Sequence, residues 1–194
     1  METTKHFNGL PLEVKQLLMD LKTELQLSRN ADFKPLTNQG NRSIVFEVLN
    51  ANLIIKWLTE KGKRDSDIEA LLDLEGIDYF PKLYAYQKGT FLVMEKARGK
   101  DIDWLLEHKL ITDFELDMVR DQFEDAVKLG IQKGRYDWDT KLEHFFWDAE
   151  TKKLKLIDFS LYDSCSSSTT QGMVKSRLET FDEMVMRWKW INNK

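Results

Sequence analysis

The chain has 194 residues, 42% of them hydrophobic and 32% charged, with a formal net charge of −4 and a pI of about 5.5. That length and apolar content can bury a real core in one domain, divided into two lobes at most, and the acidic total does not indicate a broad basic face for nucleic acid, leaving only local patches. A single cysteine, Cys165, excludes an internal disulfide framework and a thiolate metal quartet, and no uninterrupted apolar run reaches the roughly 18 residues needed to span a bilayer.

The first residues, M-E-T-T-K-H-F-N-G, lack the apolar core of a secretory leader, so a soluble cytoplasmic protein is expected. Residues 11–27 place Val14, Leu17, Leu18, Leu21 and Leu25 at helical spacing behind Pro11, which predicts one amphipathic helix packed on the body. From Phe33 to Trp57 the period changes to two. Ser43–Leu49 and Leu53–Trp57 read as a hairpin turning at Asn50-Ala51-Asn52, preceded by a polar turn with one glycine, Gly40. A short helix is predicted over Asp65–Leu74, where Ser66 and Glu69 have the spacing of a capping box. Leu83–Tyr86 and Thr90–Glu95 form a second hairpin at Lys88-Gly89, leading into K-A-R-G-K-D-I.

Helices follow over Ile102–Leu106 and Asp113–Lys133, the second with Phe114, Met118, Phe123, Val127 and Ile131 on or near one face. Phe145–Trp147 and Leu154–Ile157 read as a third hairpin, joined by the polar turn from Asp148 to Lys152. A Ser/Thr-rich loop, Ser164–Thr170, then precedes a helix with Val174, Leu178, Phe181, Val185 and Trp188 in one seam. Such a seam either closes the core at home or receives a partner helix.

The chemistry gathers between Arg135 and Ser160. Asp139 opens D-T-K-L-E-H and Asp158 ends L-K-L-I-D-F-S, so the third hairpin brings two carboxylates to one end of a small sheet. A carboxylate pair so placed suits the positioning of a hydroxyl nucleophile and the holding of a metal beside a phosphate.

These segments resemble the protein-kinase-like superfamily, whose H-R-D-L-x-x-x-N is followed by a strand and D-F-G. Asp137-Trp138-Asp139 stands at H-R-D, Lys141 at the catalytic-loop lysine, His144 at the asparagine, and Asp158-Phe159-Ser160 at D-F-G. Upstream, Lys56 of I-I-K takes the V-A-I-K position, Gly40 the Gly-rich loop, and L-V-M-E the hinge strand. Glu69 has two readings: it satisfies a helix-end amide, or it is the helix glutamate that pairs with Lys56, with Glu75 as the fallback. The order is collinear over residues 36–160. The single-glycine loop is similar to the Q-G-x-x-x-x-V-Y opening of the small kinase of the KEOPS tRNA-modification complex, and to RIO-type kinases.

The resemblance implies an α+β, two-lobed fold, with an antiparallel N-lobe sheet within about residues 1–96 and a truncated helical C-lobe over about residues 97–194. It implies ATP and Mg2+ as cofactors. Lys56 and Gly40 would then meet the phosphates, Met94 would be the gatekeeper, and Glu95 and Ala97 would offer backbone contacts to adenine. Asp158 would hold the metal, Asp139 would orient the acceptor hydroxyl, and Lys141 would stabilise the transferring phosphoryl group. His144 puts an imidazole where the family supplies an amide oxygen, which makes Mn2+ possible beside Mg2+ if the ring faces the phosphates; otherwise the ring points into the core. The implied activity is a serine/threonine protein kinase acting on a protein substrate. The alternatives are a pseudokinase that binds nucleotide or a partner, and a small-molecule kinase of the aminoglycoside or choline type.

Overall fold

The computed structural model describes residues 1–36, 41–166 and 170–192. By its internal contacts the chain falls into two units, Met1–Leu72 with Pro81–Lys96, and Asp73–Phe80 with Ala97–Lys194.

The first unit is built on strands β1 (Glu2–Thr3), β2 (Phe33–Pro35), β3 (Ser43–Val48), β4 (Leu53–Leu58), β5 (Leu83–Gln87) and β6 (Phe91–Glu95). They pair antiparallel in the order β1-β5-β6-β4-β3-β2. Both predicted hairpins are formed, β3 with β4 and β5 with β6. Asn50 turns the first of them at φ +62°, a left-handed conformation that asparagine tolerates.

Period two divides the sheet into faces. Phe46 and Val48 of β3, Leu53 and Ile55 of β4, Ala85 of β5, and Phe91 and Val93 of β6 all join one buried cluster. That cluster is closed by Phe7, Val14, Leu18, Leu21 and Leu27 from the N-terminal segment. The single helix expected over residues 11–27 is two, α1 (Leu12–Met19) and α2 (Glu24–Arg29). Thr23 and Gln26 make a capping box that starts α2 afresh, so the chain bends and Leu27 is buried while Leu25 is exposed. A 3-10 turn, Gly62–Arg64, precedes α3 (Asp67–Asp73), which begins two residues later than expected.

In the second unit, β7 (Lys100–Asp101), β9 (Phe145–Asp148) and β10 (Lys153–Leu156) form one sheet, and β8 (Arg135–Asp137) pairs with β11 (Tyr162–Ser164). The helices are α4 (Ile102–Glu107), α5 (Asp113–Gln132) and α6 (Thr170–Asn192). The hairpin β9–β10 is formed as predicted, with Phe145 opposite Leu156. On α5 the buried stripe is Leu116, Val119, Phe123, Ala126, Val127 and Ile131. Phe114, expected near the buried face, is instead exposed, because it lies in the first turn and a step away from that stripe.

The core brings Phe123, Phe145 and Phe181 ring to ring, with centroids 4.6, 5.4 and 5.9 Å apart. Phe181 comes from α6, so the first half of that helix packs at home, with Val174 and Leu178 also buried; Val185 and Trp188 of the expected seam are only half-buried. A bidentate pair from Arg120 to Asp182, at 2.7 and 2.9 Å, ties α5 to α6. The fold is α+β with antiparallel sheets. Among the described residues no helix is long and apolar enough to cross a membrane.

Candidate active site

In the first unit the lysine of I-I-K lies on the sheet face opposite the buried cluster. Val45, Lys56 and Leu92 are cross-strand partners in one row, and Ile54 pairs with Met94 in the next, so Lys56 and Met94 share this face. Lys56 is only 8% exposed, and its Nζ lies 2.7 Å from Oδ1 of Asp67, which is 2% exposed. A buried ammonium is costly to desolvate unless a carboxylate lies this close. The expected Lys56–Glu69 pair is therefore corrected. Residues two apart on a helix point about 200° apart, so α3 can turn only one of these acids inward. Asp67 takes that place. Glu69 is exposed and sits 3.3 Å from Lys88.

Met94 is buried on this face, two residues along β6 from Leu92. The Glu95 N–H donates to the Lys82 carbonyl at 2.8 Å and the Lys96 N–H to the Asn52 carbonyl at 3.0 Å, so a contact from Glu95 to a base would fall to its carbonyl. Ala97 is half-buried and is the first residue after β6 that belongs to the second unit. Gly40 lies outside the described residues.

In the second unit the segment after β8 carries the acids. Asp137 folds it into a tight turn: its Oδ1 accepts the Asp139 N–H at 2.8 Å and its Oδ2 accepts the Thr140 hydroxyl at 3.1 Å. Burial raises the Asp137 carboxyl above its ordinary value, against the lowering effect of these two donors and of the nearby His144 and Arg177. Asp139 emerges from the turn with its Oδ2 2.7 Å from Lys141 Nζ. That hydrogen bond, with further charge from Glu143 and Asp158, raises the Lys141 ammonium and keeps it protonated. Asp139 and Asp158 thus act on one lysine.

Asp158, two residues past the end of β10, has φ +65°, a left-handed backbone that asparagine and aspartate enter more readily than other non-glycine residues. The Ser160 N–H donates to its Oδ1 at 3.3 Å. The turn is anchored by Phe159, which is fully buried against Phe80 and Tyr162, at 6.0 and 5.0 Å between ring centroids. Strain held in place by packing is characteristic of functional turns.

His144 is buried, yet its Nε2 is 3.6 Å from Asp158 Oδ2 and 3.8 Å from Glu143 Oε1. It therefore both fills the core and faces the carboxylate. Among the described residues no group of three or more His, Cys, Asp or Glu side chains is gathered to hold a metal ion. A magnesium ion serving a nucleotide needs only one or two carboxylates besides phosphate oxygens and water, so Asp158 fits that smaller share.

Asp67 and Arg177, which contact candidate site residues, were missed by spacing arguments, and Asp137 was placed at the first position of H-R-D without a role. The signal for Asp67 is its position: it is the first residue of α3 and stands beside the buried Ile68, whereas the capping-box spacing drew attention to Glu69. Trp138, between the two acids, is 57% exposed, with its ring edge-on to Tyr136 at 4.8 Å. No protein-family model and no curated protein matches the chain.

Proposed function

We propose that the chain is an ATP-dependent phosphotransferase of the protein-kinase-like type, transferring the γ-phosphoryl group to a serine or threonine hydroxyl of a protein. The observation that carries this reading is the Asp139–Lys141 pair at 2.7 Å, in a turn whose lysine also feels the charge of Asp158. Phosphoryl transfer asks little covalent chemistry of a protein; it asks for positioned charges. Asp139 would orient the acceptor hydroxyl and take its proton. Lys141 would stabilise the charge on the phosphoryl group as it passes. Lys56, held by Asp67, would neutralise the nucleotide phosphates, while Met94, Glu95 and Ala97 would line the base. Asp158, with His144 beside it, would hold magnesium, which supplies neutralisation of the β- and γ-phosphate oxygens when bound.

One observation favours a second reading. His144 supplies no oxygen ligand, and its Nε2 faces Asp158, so a second magnesium would lack an oxygen donor there, which favours a nucleotide-binding module with little turnover. The deciding experiment measures transfer of label from γ-labelled ATP to the chain itself and to a basic protein. Transfer by the parent that Asp139→Asn abolishes supports the enzyme. ATP binding with no transfer to any acceptor supports the pseudokinase, and neither binding nor transfer overturns both.

A further inference from the structure

The first turns of α6 lie against the segment that carries Asp139. The Tyr136 hydroxyl donates to the Met173 carbonyl at 3.2 Å, and the Arg177 guanidinium sits 5.3 Å above the Tyr136 ring. From there Arg177 Nη1 reaches both ends of the turn, 3.4 Å from the Asp137 carbonyl oxygen and 3.4 Å from Thr140 Oγ1. The Thr140 hydroxyl is buried. It donates to the Asp137 carboxylate, which leaves its lone pairs for Arg177. Asp137 thus closes the turn from inside and Arg177 clasps it from outside, with Asp139 between the two clasped points.

We propose that Arg177 is a positioning residue for Asp139, setting the direction in which that carboxylate leaves the turn; this rests on the reading of Asp139 as the group that orients the acceptor hydroxyl. Two features distinguish the contact from ordinary packing. Arg177 Nε is buried without a hydrogen-bond partner among the described residues, a desolvation penalty that an apolar side chain at position 177 would not incur. The two Nη1 contacts, although long at 3.4 Å, also fall on the first and the last residue of the turn rather than on one point of it. Nη1 carries two N–H donors in the fixed plane of the guanidinium, so this one nitrogen can meet both oxygens, and a lysine ammonium on a flexible stem would hold them less firmly. In this arrangement α6 supplies one side of the turn that presents the acid.

The test uses the full chain with Arg177→Met and Arg177→Lys. Positional errors of about 1 Å at a reacting group lower turnover by roughly 100-fold, so Arg177→Met should lower kcat by about 10- to 100-fold. KM for ATP should stay within about twofold, because Arg177 acts on the acceptor side of the chemistry. Arg177→Lys should recover part of the loss. Hydrogen exchange should quicken at the amides of Trp138, Asp139 and Thr140 in Arg177→Met while β9 and β10 remain protected.

An unchanged kcat overturns the proposal, as does a loss of kcat accompanied by faster exchange throughout the second unit. If the parent transfers no phosphate, the kinase reading fails separately. Exchange at residues 138–140 then decides the positioning role alone: selective quickening keeps it, and no change removes it.

Discussion

Lys56 Nζ and Asp67 Oδ1 lie 2.7 Å apart, both hidden from solvent, on the sheet face that the N-terminal helices leave uncovered. The pair makes Asp67, rather than Glu69, the acid on which the lysine depends. Removing one partner of a buried pair typically costs about 3–5 kcal/mol. Asp67→Asn should therefore show a large fall in denaturation midpoint and a lost thermal shift with ATP, whereas Glu69→Gln should keep both. Equal behaviour of the two variants would return Glu69 to the role.

Asp139→Asn and Asp158→Asn should each lower phosphotransfer by at least about 100-fold, since each removes a charge that acts at the reacting group. Asparagine is the right replacement at 158 because it accepts the φ of +65° there, so a loss reports the carboxylate rather than the backbone. Label transfer and circular dichroism on the same samples check this; variants matching the parent would mean that the activity belongs to another protein.

His144→Asn replaces the imbalance of nitrogen over oxygen beside Asp158. The ratio of manganese-supported to magnesium-supported turnover should fall in this variant, because hard magnesium prefers oxygen. Since His144 is also buried, its melting temperature should drop as well. A drop with an unaltered metal ratio would assign the ring to packing alone.

Glu115 joins three elements. It caps α5 through Thr112, lies 2.7 Å from Lys152 Nζ, and is 3.5 Å from Trp147 Nε1. The Lys152 hydrogen bond, then the Thr112 N–H, holds its carboxyl down to about 2 from an ordinary 4.5. A carboxylate depressed on folding contributes stability that is complete above its unfolded value and lost as pH falls through the folded one. The parent should exceed Glu115→Gln by about 1–2 kcal/mol at pH 7, with the gap closing between about pH 4.5 and about pH 2. Urea titrations at several pH values measure it; a gap independent of pH would assign the effect to shape.

Leu27→Ala should lose about 2–5 kcal/mol, while Leu25→Ala should stay within about 0.5 kcal/mol of the parent, because only the first is buried. Denaturant midpoints separate them. Similar losses would restore the single continuous helix expected over residues 11–27.

The hairpins were legible in the sequence because period two and turn residues are local. Asn50-Ala51-Asn52, Lys88-Gly89 and Asp148–Lys152 each mark their turns, and the strands beside them pair as read. The strand position of Lys56 and the short hairpin between Asp139 and Asp158 were legible too, since they need only period and spacing. What spacing cannot resolve is which of two nearby acids turns inward, and Asp67 and Glu69 are separated only by the phase of α3. The break between α1 and α2 carried a local signal in Thr23 and Gln26, overshadowed by the leucine stripe. Arg177 had none: it meets Asp137 and Thr140 across about 40 residues, and nothing local in R-L-E-T announces that contact.

Gly99 has φ +83°, and a Cβ built there would fall 2.0 Å from the Trp147 carbonyl oxygen. Both the backbone angle and the approach demand a hydrogen in place of a side chain. In a saturation library position 99 should consequently return glycine alone. By contrast Gly9 and Gly172, which have open space around them and no left-handed φ, should accept alanine freely. One hydrogen atom at position 99 thus sets how near the segment before β7 can pass to the backbone of β9.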